Sequence, residues 1–222
     1  MHYQLKKINR RALLISAFVV PYLISTNLKA MQTITVVCDG NSLTFGLGGK
    51  SYPSQLQSIL GRRFKVINKG VSGQTTAKMM QDAATDIDSL TRNSNNSLIC
   101  VAWECTNDMF FGTEATTAFN NLKKYCQDRR ASGFKVVALT VLPRSEPGTP
   151  ANFESQRQIL NTLLRKHWRD FADALADIAT DKNLGYPGAQ KNLRFYGDLV
   201  HLNEAGYRII AKYVAESIFS IV

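Results

Sequence analysis

Histidine is almost missing from this sequence: three occur, at positions 2, 167 and 201, and no Cys-x-x-Cys pair accompanies them. Zinc sites are built from clustered Cys and His, so no metal is expected. The four cysteines, 38, 100, 105 and 126, would allow three disulfide pairings in an oxidising compartment. Cys38 and Cys100 lie inside apolar, strand-like runs, where a free thiol acts as a small hydrophobe, so mostly free, buried cysteines are expected. The apolar run Ala12 to Ile24 has thirteen residues and is interrupted by Pro21, too short to span a bilayer. No Gly-x-Ser-x-Gly occurs, which argues against the strand–elbow–helix nucleophile of the α/β-hydrolases. Internal repeats, linkers and low-complexity tracts are also missing. With 222 residues, 45% of them hydrophobic, the chain can build one core but not two ordinary domains.

What is present begins with a basic head. Lys6, Lys7, Arg10 and Arg11 precede the apolar run, and Ser25 to Ala30 follows it. That order describes a secretory signal peptide over residues 1–30, leaving one domain, 31–222, that is periplasmic or secreted and not inserted in a membrane. A true start at Met31 would instead make the protein cytoplasmic. The formal charge of +10 falls with the leader, which holds five basic residues and no acid, leaving 22 basic against 17 acidic. That surplus is scattered in short pairs such as Arg62-Arg63 and Lys123-Lys124, which read as solvated faces, and nucleic acid is not an expected partner.

The mature chain alternates strands and helices. From Ile34 a β-branched apolar run stops abruptly at Asp39-Gly40-Asn41-Ser42, a buried strand by its composition with the glycine-containing break as its end. A helix follows over Tyr52 to Leu60, then a strand over Phe64 to Asn68 and a helix over Thr76 to Leu90. Leu98 to Trp103 is a third strand and Thr113 to Ser132 a long helix. Phe134 to Leu142 is a fourth strand and Phe153 to about Trp168 another helix. Ala172 to Ile178 fits either helix or strand. A loop to Leu202 precedes a last amphipathic helix with Tyr207, Ile210, Val214, Ile218 and Ile221 on one face, capped by Asn203. Such alternation means an α/β fold: a central parallel sheet, helices on both faces, right-handed crossovers.

The residues that carry chemistry sit where strands end. Ser42 stands just beyond the first strand, at the carboxyl edge where open α/β sheets keep their sites. A serine nucleophile needs a base, a group to orient that base, and donors for the developing oxyanion. His2 lies in the leader and His167 in the charged stretch Arg165 to Arg169, which leaves His201. Asp198 is three residues earlier, close enough through one short turn to bond the ring's Nδ1 and leave Nε2 for the serine proton. Gly73, after the second strand, offers a backbone N–H without a Cβ in the way. Asn107, after the third, offers a side-chain amide. With the N–H of Ser42, these give three oxyanion donors. Taken singly, each is an ordinary turn or cap residue; together, in chain order at the ends of three strands, they read as a serine esterase.

Gly40-Asn41-Ser42-Leu43-Thr44, Asn68-Lys69-Gly70-Val71-Ser72-Gly73, Thr106-Asn107-Asp108 and Asp198-Leu199-Val200-His201-Leu202 resemble the four sequence blocks of the SGNH hydrolases, also called GDSL esterases. The resemblance spans nearly all of the mature chain. It implies a flavodoxin-like three-layer fold, Ser42 as nucleophile, Gly73 and Asn107 as oxyanion donors, His201 as base and Asp198 as its partner. It implies hydrolysis of acyl esters or thioesters with neither a metal nor an organic cofactor. Two positions depart from the family pattern. Asn41 replaces an aspartate, losing a charge but keeping hydrogen bonding. Cys105 replaces a glycine; if that position needs positive φ, a Cβ there is strained and would disturb Asn107.

The expected substrate is a small-molecule or glycan ester with a short acyl group, such as acetyl on carbohydrate. Lysophospholipid or acyl-thioester hydrolysis and a non-catalytic glycan-binding relic are the alternatives. Trp103, Phe110, Phe111, Phe45 and Tyr196 flank the motifs, as pocket walls or as core.

Overall fold

The computed structural model describes residues 33–91 and 97–222; the proposed signal peptide lies outside them. Five strands, β1 (Ile34–Gly40), β2 (Phe64–Asn68), β3 (Leu98–Trp103), β4 (Lys135–Leu139) and β5 (Ala174–Ala176), form one sheet in the order β2-β1-β3-β4-β5. Every neighbouring pair is parallel. This is the flavodoxin-like order, and its direction of winding reverses between β1 and β3.

Alternation along the strands divides the core in two. Val36 and Cys38 of β1, with Ile99, Val101 and Trp103 of β3, face α2 (Tyr52–Leu60) and α7 (Glu204–Phe219) through Tyr52, Leu56, Tyr207, Ile210, Val214 and Ile218. Val37, Cys100 and Ala102 face the other way, toward α3 (Thr76–Asp86), α5 (Ala115–Ala131) and α6 (Phe153–His167), meeting Met79, Leu122, Leu160 and Leu164. The three-layer arrangement follows, with the four cysteines free and buried. Among the described residues no helix is long and apolar enough to cross a membrane.

Two elements are shorter than the sequence pattern suggests. Helix α3 ends at Asp86 and passes into a 3₁₀ turn over Asp88–Thr91. Strand β4 stops at Leu139 because its neighbour β5 has only three residues to pair with. Beyond it, side chains of α6 replace the ladder: Asn161 Oδ1 accepts from Val141 N–H at 2.8 Å, while Asn161 Nδ2 and Arg157 Nη1 donate to the Val141 carbonyl. The ambiguous segment after Ala172 is β5, followed by a 3₁₀ turn.

The carboxyl end of β1 is fastened to the layer beneath it. Asp39 accepts from Tyr125 O–H at 2.5 Å and from the Gly40 N–H at 2.9 Å, and burial pushes its carboxyl from 3.8 up to about 6. Gly40 has φ +155°, and a Cβ there would lie 2.3 Å from the Trp103 carbonyl oxygen, so only glycine lets β1 end this close to β3.

Cys105 is the only non-glycine residue at positive φ among those described, with φ 83° and ψ −17°. The expectation of positive φ at this position therefore holds, yet Asn107 still lies in the cleft wall described below. The thiol, fully buried, packs 3.5 Å from the Ala118 carbonyl and 3.9 Å from Thr76 Oγ1. Left-handed backbone costs an L-residue about 1–2 kcal/mol, and glycine's extra chain entropy about 0.5–1 kcal/mol. Cys105→Gly is therefore expected to be more stable than Cys105→Ala by about 0.5–1 kcal/mol, the reverse of the usual helix-region order. Urea unfolding of both variants measures the difference directly; Ala above Gly would mean that the strain is absent.

Candidate active site

Strand β1 ends at Gly40, Asn41 caps the single helical turn α1 (Ser42–Phe45), and Ser42 is its first residue. The Asn41 side chain accepts from the Leu43 N–H at 2.8 Å, so the cap is Asn41 and the serine hydroxyl is left free. On the far side, Tyr196 and Leu202 pair antiparallel and the Gly197 N–H donates to the His201 carbonyl at 2.8 Å. This closes a small loop that carries Asp198 and His201. Tyr207, one turn into α7, holds the facing segment by donating to the Leu47 carbonyl at 2.7 Å.

The loop and the turn meet. His201 Nε2 lies 3.0 Å from Ser42 Oγ, and His201 Nδ1 lies 2.8 Å from Asp198 Oδ2. The other Asp198 oxygen accepts from the backbone N–H of His201 at 2.6 Å and of Val200 at 2.8 Å. Partial burial works to raise the Asp198 carboxyl, but these N–H groups and the ring outweigh it and hold it below its ordinary 3.8. Ionised at neutral pH, Asp198 can only accept, so Nδ1 carries the ring proton and Nε2 faces the serine hydroxyl as an acceptor. His167, by contrast, ends α6 beside Asp170 and Phe119.

Gly73 and Asn107 join Ser42, Asp198 and His201 in the wall of one cleft of about 510 Å³. Gly73 has φ +76° and a Cβ there would meet nothing within 4 Å; its glycine serves the turn, not a close approach. Helix α4 (Thr106–Phe110) carries Asn107. Asp108 fixes α4 to the start of α3, accepting from both the N–H and the hydroxyl of Thr76 at 3.0 Å. Asn107 Nδ2 donates to the Gln74 carbonyl at 2.8 Å, which leaves its second N–H unassigned.

Three polar residues that the motif reading passed over support the site: Arg144 and Glu146 in the cleft wall, and Glu104 in the buried layer that holds Asn41 and Asn107. Arg144, following β4, donates from Nη1 to Asn107 Oδ1 at 3.1 Å and to the Thr106 carbonyl at 3.3 Å. Because arginine only donates, this contact fixes which end of the Asn107 amide is oxygen and turns the NH₂ away from it. Burial lowers the Arg144 guanidinium to about 10, with Glu104 and Asp198 opposing that shift, so it remains a cation at neutral pH. Glu146 pairs with it, and the Phe110 ring lies 4.2 Å beneath it. Glu104, fully buried, accepts from Asn41 Nδ2 and from the Asn107 N–H at 3.4 Å. Burial first, then the neighbouring Asp108, push its carboxyl well above its ordinary range. The signals for these residues were charge alone: an acid closing an otherwise apolar strand, and an arginine and a glutamate just past Pro143. Of the flanking aromatics, Phe110 and Phe111 line the cleft, Trp103 and Tyr196 are core, and Phe45 is exposed outside it.

One side chain, Glu104, thus ties the serine turn to the Asn107 turn, and each link has a direction. Glu104→Gln sets an NH₂ against either the Asn41 amide or the Asn107 N–H; Asn41→Asp sets two carboxyl groups in contact. Either change is expected to cost about 1–3 kcal/mol, the range for a buried polar group left unpaired. The double variant reverses donor and acceptor while keeping every bond, so it should recover most of the unfolding midpoint and of the ester-hydrolysis rate. Additive losses in both measurements would refute the link.

Comparison with known proteins agrees with this geometry. The family of GDSL-like lipases and acylhydrolases matches residues 38–209, which takes in Ser42, Gly73, Asn107, Asp198 and His201. No curated protein matches the chain in sequence. Among solved structures, it is similar to a carbohydrate acetylesterase family member from Sinorhizobium meliloti, at 20% identity and TM-score 0.67, over 85% of this chain and 98% of that one. It is similar to a lipolytic protein of the G-D-S-L family from Veillonella parvula, at 15% identity and TM-score 0.67, over 86% and 100%. A catalytic mutant of Axe2, an acetylxylan esterase from Geobacillus stearothermophilus, matches at 14% identity and TM-score 0.62, over 83% and 93%. At these identities the structural likenesses establish the fold, while the family match extends over most of the chain and all of its cleft-lining motifs. The chain belongs to the GDSL-like lipase/acylhydrolase family, and it is a hydrolase.

Proposed function

We propose that the protein is a serine esterase that removes short acyl groups, acetyl above all, from carbohydrate esters by way of a covalent acyl-enzyme. The observation that carries this reading is the row of contacts from Ser42 Oγ through the His201 ring to Asp198, in a cleft that also holds Gly73 and Asn107. Ser42 Oγ attacks the ester carbonyl carbon as its proton passes to His201 Nε2. The carbonyl oxygen takes the negative charge and receives the N–H groups of Ser42 and Gly73 and the second N–H of Asn107. The C–O bond to the alcohol then breaks, and His201 returns the proton to the leaving oxygen. Water, giving its proton to His201, attacks the acyl-enzyme and releases the acid and the Ser42 hydroxyl. Arg144, held against the Asn107 oxygen, keeps that amide aimed and adds positive charge behind it.

Two of the solved structures similar to this chain bear the names carbohydrate acetylesterase and acetylxylan esterase. Longer acyl chains are the second reading, favoured by Leu47, Phe111 and Leu199 at the cleft, with Phe111 67% exposed. An export signal at the head of the chain belongs to the same proposal, since it would deliver the enzyme to glycans outside the cytoplasm.

Ser42→Ala is expected to abolish hydrolysis of p-nitrophenyl acetate. Asn107→Ala should lower kcat by roughly 10²–10³ with little change in KM, the usual cost of one oxyanion donor. Activity kept by Ser42→Ala and lost by Ser72→Ala would reassign the nucleophile to the other serine of the cleft. In a p-nitrophenyl series from acetyl to palmitoyl, kcat/KM should be highest at acetyl and fall with length; a maximum at eight carbons or more would favour the second reading.

A further inference from the structure

Beside the catalytic cleft lies a second pocket, of about 370 Å³, lined by Ser145, Thr149, Glu154, Gln190 and Lys191 over the buried Phe153. Arg144 and Glu146 line both hollows, so their ion pair is the ridge between them. The second pocket therefore adjoins the cleft that holds Ser42, on its β4 side.

Its wall contains polar groups with nothing to bond. Gln190 is only 5% exposed, yet its Oε1 has no hydrogen-bond partner. The Ser145 hydroxyl is likewise without one. Folded proteins keep few such atoms, because each costs about 1–3 kcal/mol when it is cut off from water unpaired. Lys191, on the short 3₁₀ turn Ala189–Lys191, brings an ammonium to the same wall.

Both oxygens are shielded as the side chains stand. Rotation of the Gln190 amide and the Ser145 side chain toward the pocket would pair them with a polar occupant, whereas an acyl chain would leave them unsatisfied, which is costly. A sugar ring suits them, since each of its hydroxyls both donates and accepts and can meet an amide, a hydroxyl and an ammonium at once. The acyl group occupies the cleft at Ser42, so the alcohol half of an ester must leave it toward a neighbouring surface. We propose that this second pocket is a subsite for a sugar unit of the alcohol half, next to the acylated one, with Gln190, Ser145 and Lys191 as its hydrogen-bonding wall. The assignment rests on the carbohydrate-ester reading given above.

The test compares kcat/KM on an acetylated xylo-oligosaccharide with kcat/KM on p-nitrophenyl acetate, which has no sugar, for the wild type, Gln190→Leu and Lys191→Met. The ratio of the two is expected to fall about tenfold in each variant, the worth of one or two hydrogen bonds, with the loss in KM for the oligosaccharide. Gln190→Leu replaces an unpartnered amide by an apolar group of similar size, so its unfolding midpoint should not fall; Lys191→Met is exposed and guards against any packing defect at 190. A ratio unchanged in both variants would overturn the subsite and leave the esterase reading intact. A wild type that cleaves p-nitrophenyl acetate and no acetylated oligosaccharide would remove the carbohydrate reading, and the subsite with it.

Discussion

The contact between Ser42 Oγ and His201 Nε2 joins residues 159 apart in the chain, and the rest of the architecture makes it possible. One partner rides on the helical turn that follows the first strand of the sheet, the other on the loop that precedes the last helix. They meet because α7 returns to pack beside α2 against the β1 face, which brings its amino end to the carboxyl edge of β1. Tyr207 and the Tyr196–Leu202 pairing then set the distance. A shift of about 1 Å here would leave the histidine out of reach of the hydroxyl, and a catalytic geometry tolerates little more than half of that.

Around that contact the protein buries more polar chemistry than its core composition suggests. Glu104, Asn41, Asn107, Asp108 and Arg144 are all buried, and they join the turns after β1, β3 and β4 to one another and to the start of α3. Such groups are expensive to desolvate and are tolerated when their bonds are complete. Here they serve position more than stability: each bond has a required donor and a required acceptor, so the turns have one arrangement that satisfies all of them. The charges also compensate. Arg144 faces Glu146 directly and feels Glu104 and Asp198, so a cation stands behind the Asn107 amide without an unbalanced charge in the wall.

Cys105 and Asn41 show how a family pattern can drift while its geometry stays. At 105 the backbone keeps the left-handed conformation that suits glycine, and the thiol fills space between Thr76 and the Ala118 carbonyl. At 41 the carboxylate is gone, but an acid at 104 meets the amide that replaced it. The strict requirement at these places is a backbone angle and a hydrogen-bond direction, and more than one side chain can supply each.

The alternation of apolar strands with periodic helices, the break at Gly40, and the Asn203 cap are local properties, and the sequence alone determined them together with the parallel three-layer class. Local too is the three-residue spacing that lets the Asp198 carboxylate reach the His201 ring. Tertiary structure alone decided where β4 ends, since strand length depends on the partner across the ladder. It decided the orientation of the Asn107 amide, which an arginine 37 residues away dictates. It also decided that Arg144 and Gln190 line the hollows while Glu104 is buried between the turns that carry Asn41 and Asn107. Charge and polarity are visible in a string of residues, but which group opposes which depends on contacts between segments far apart in the chain, and those exist only once the layers have packed.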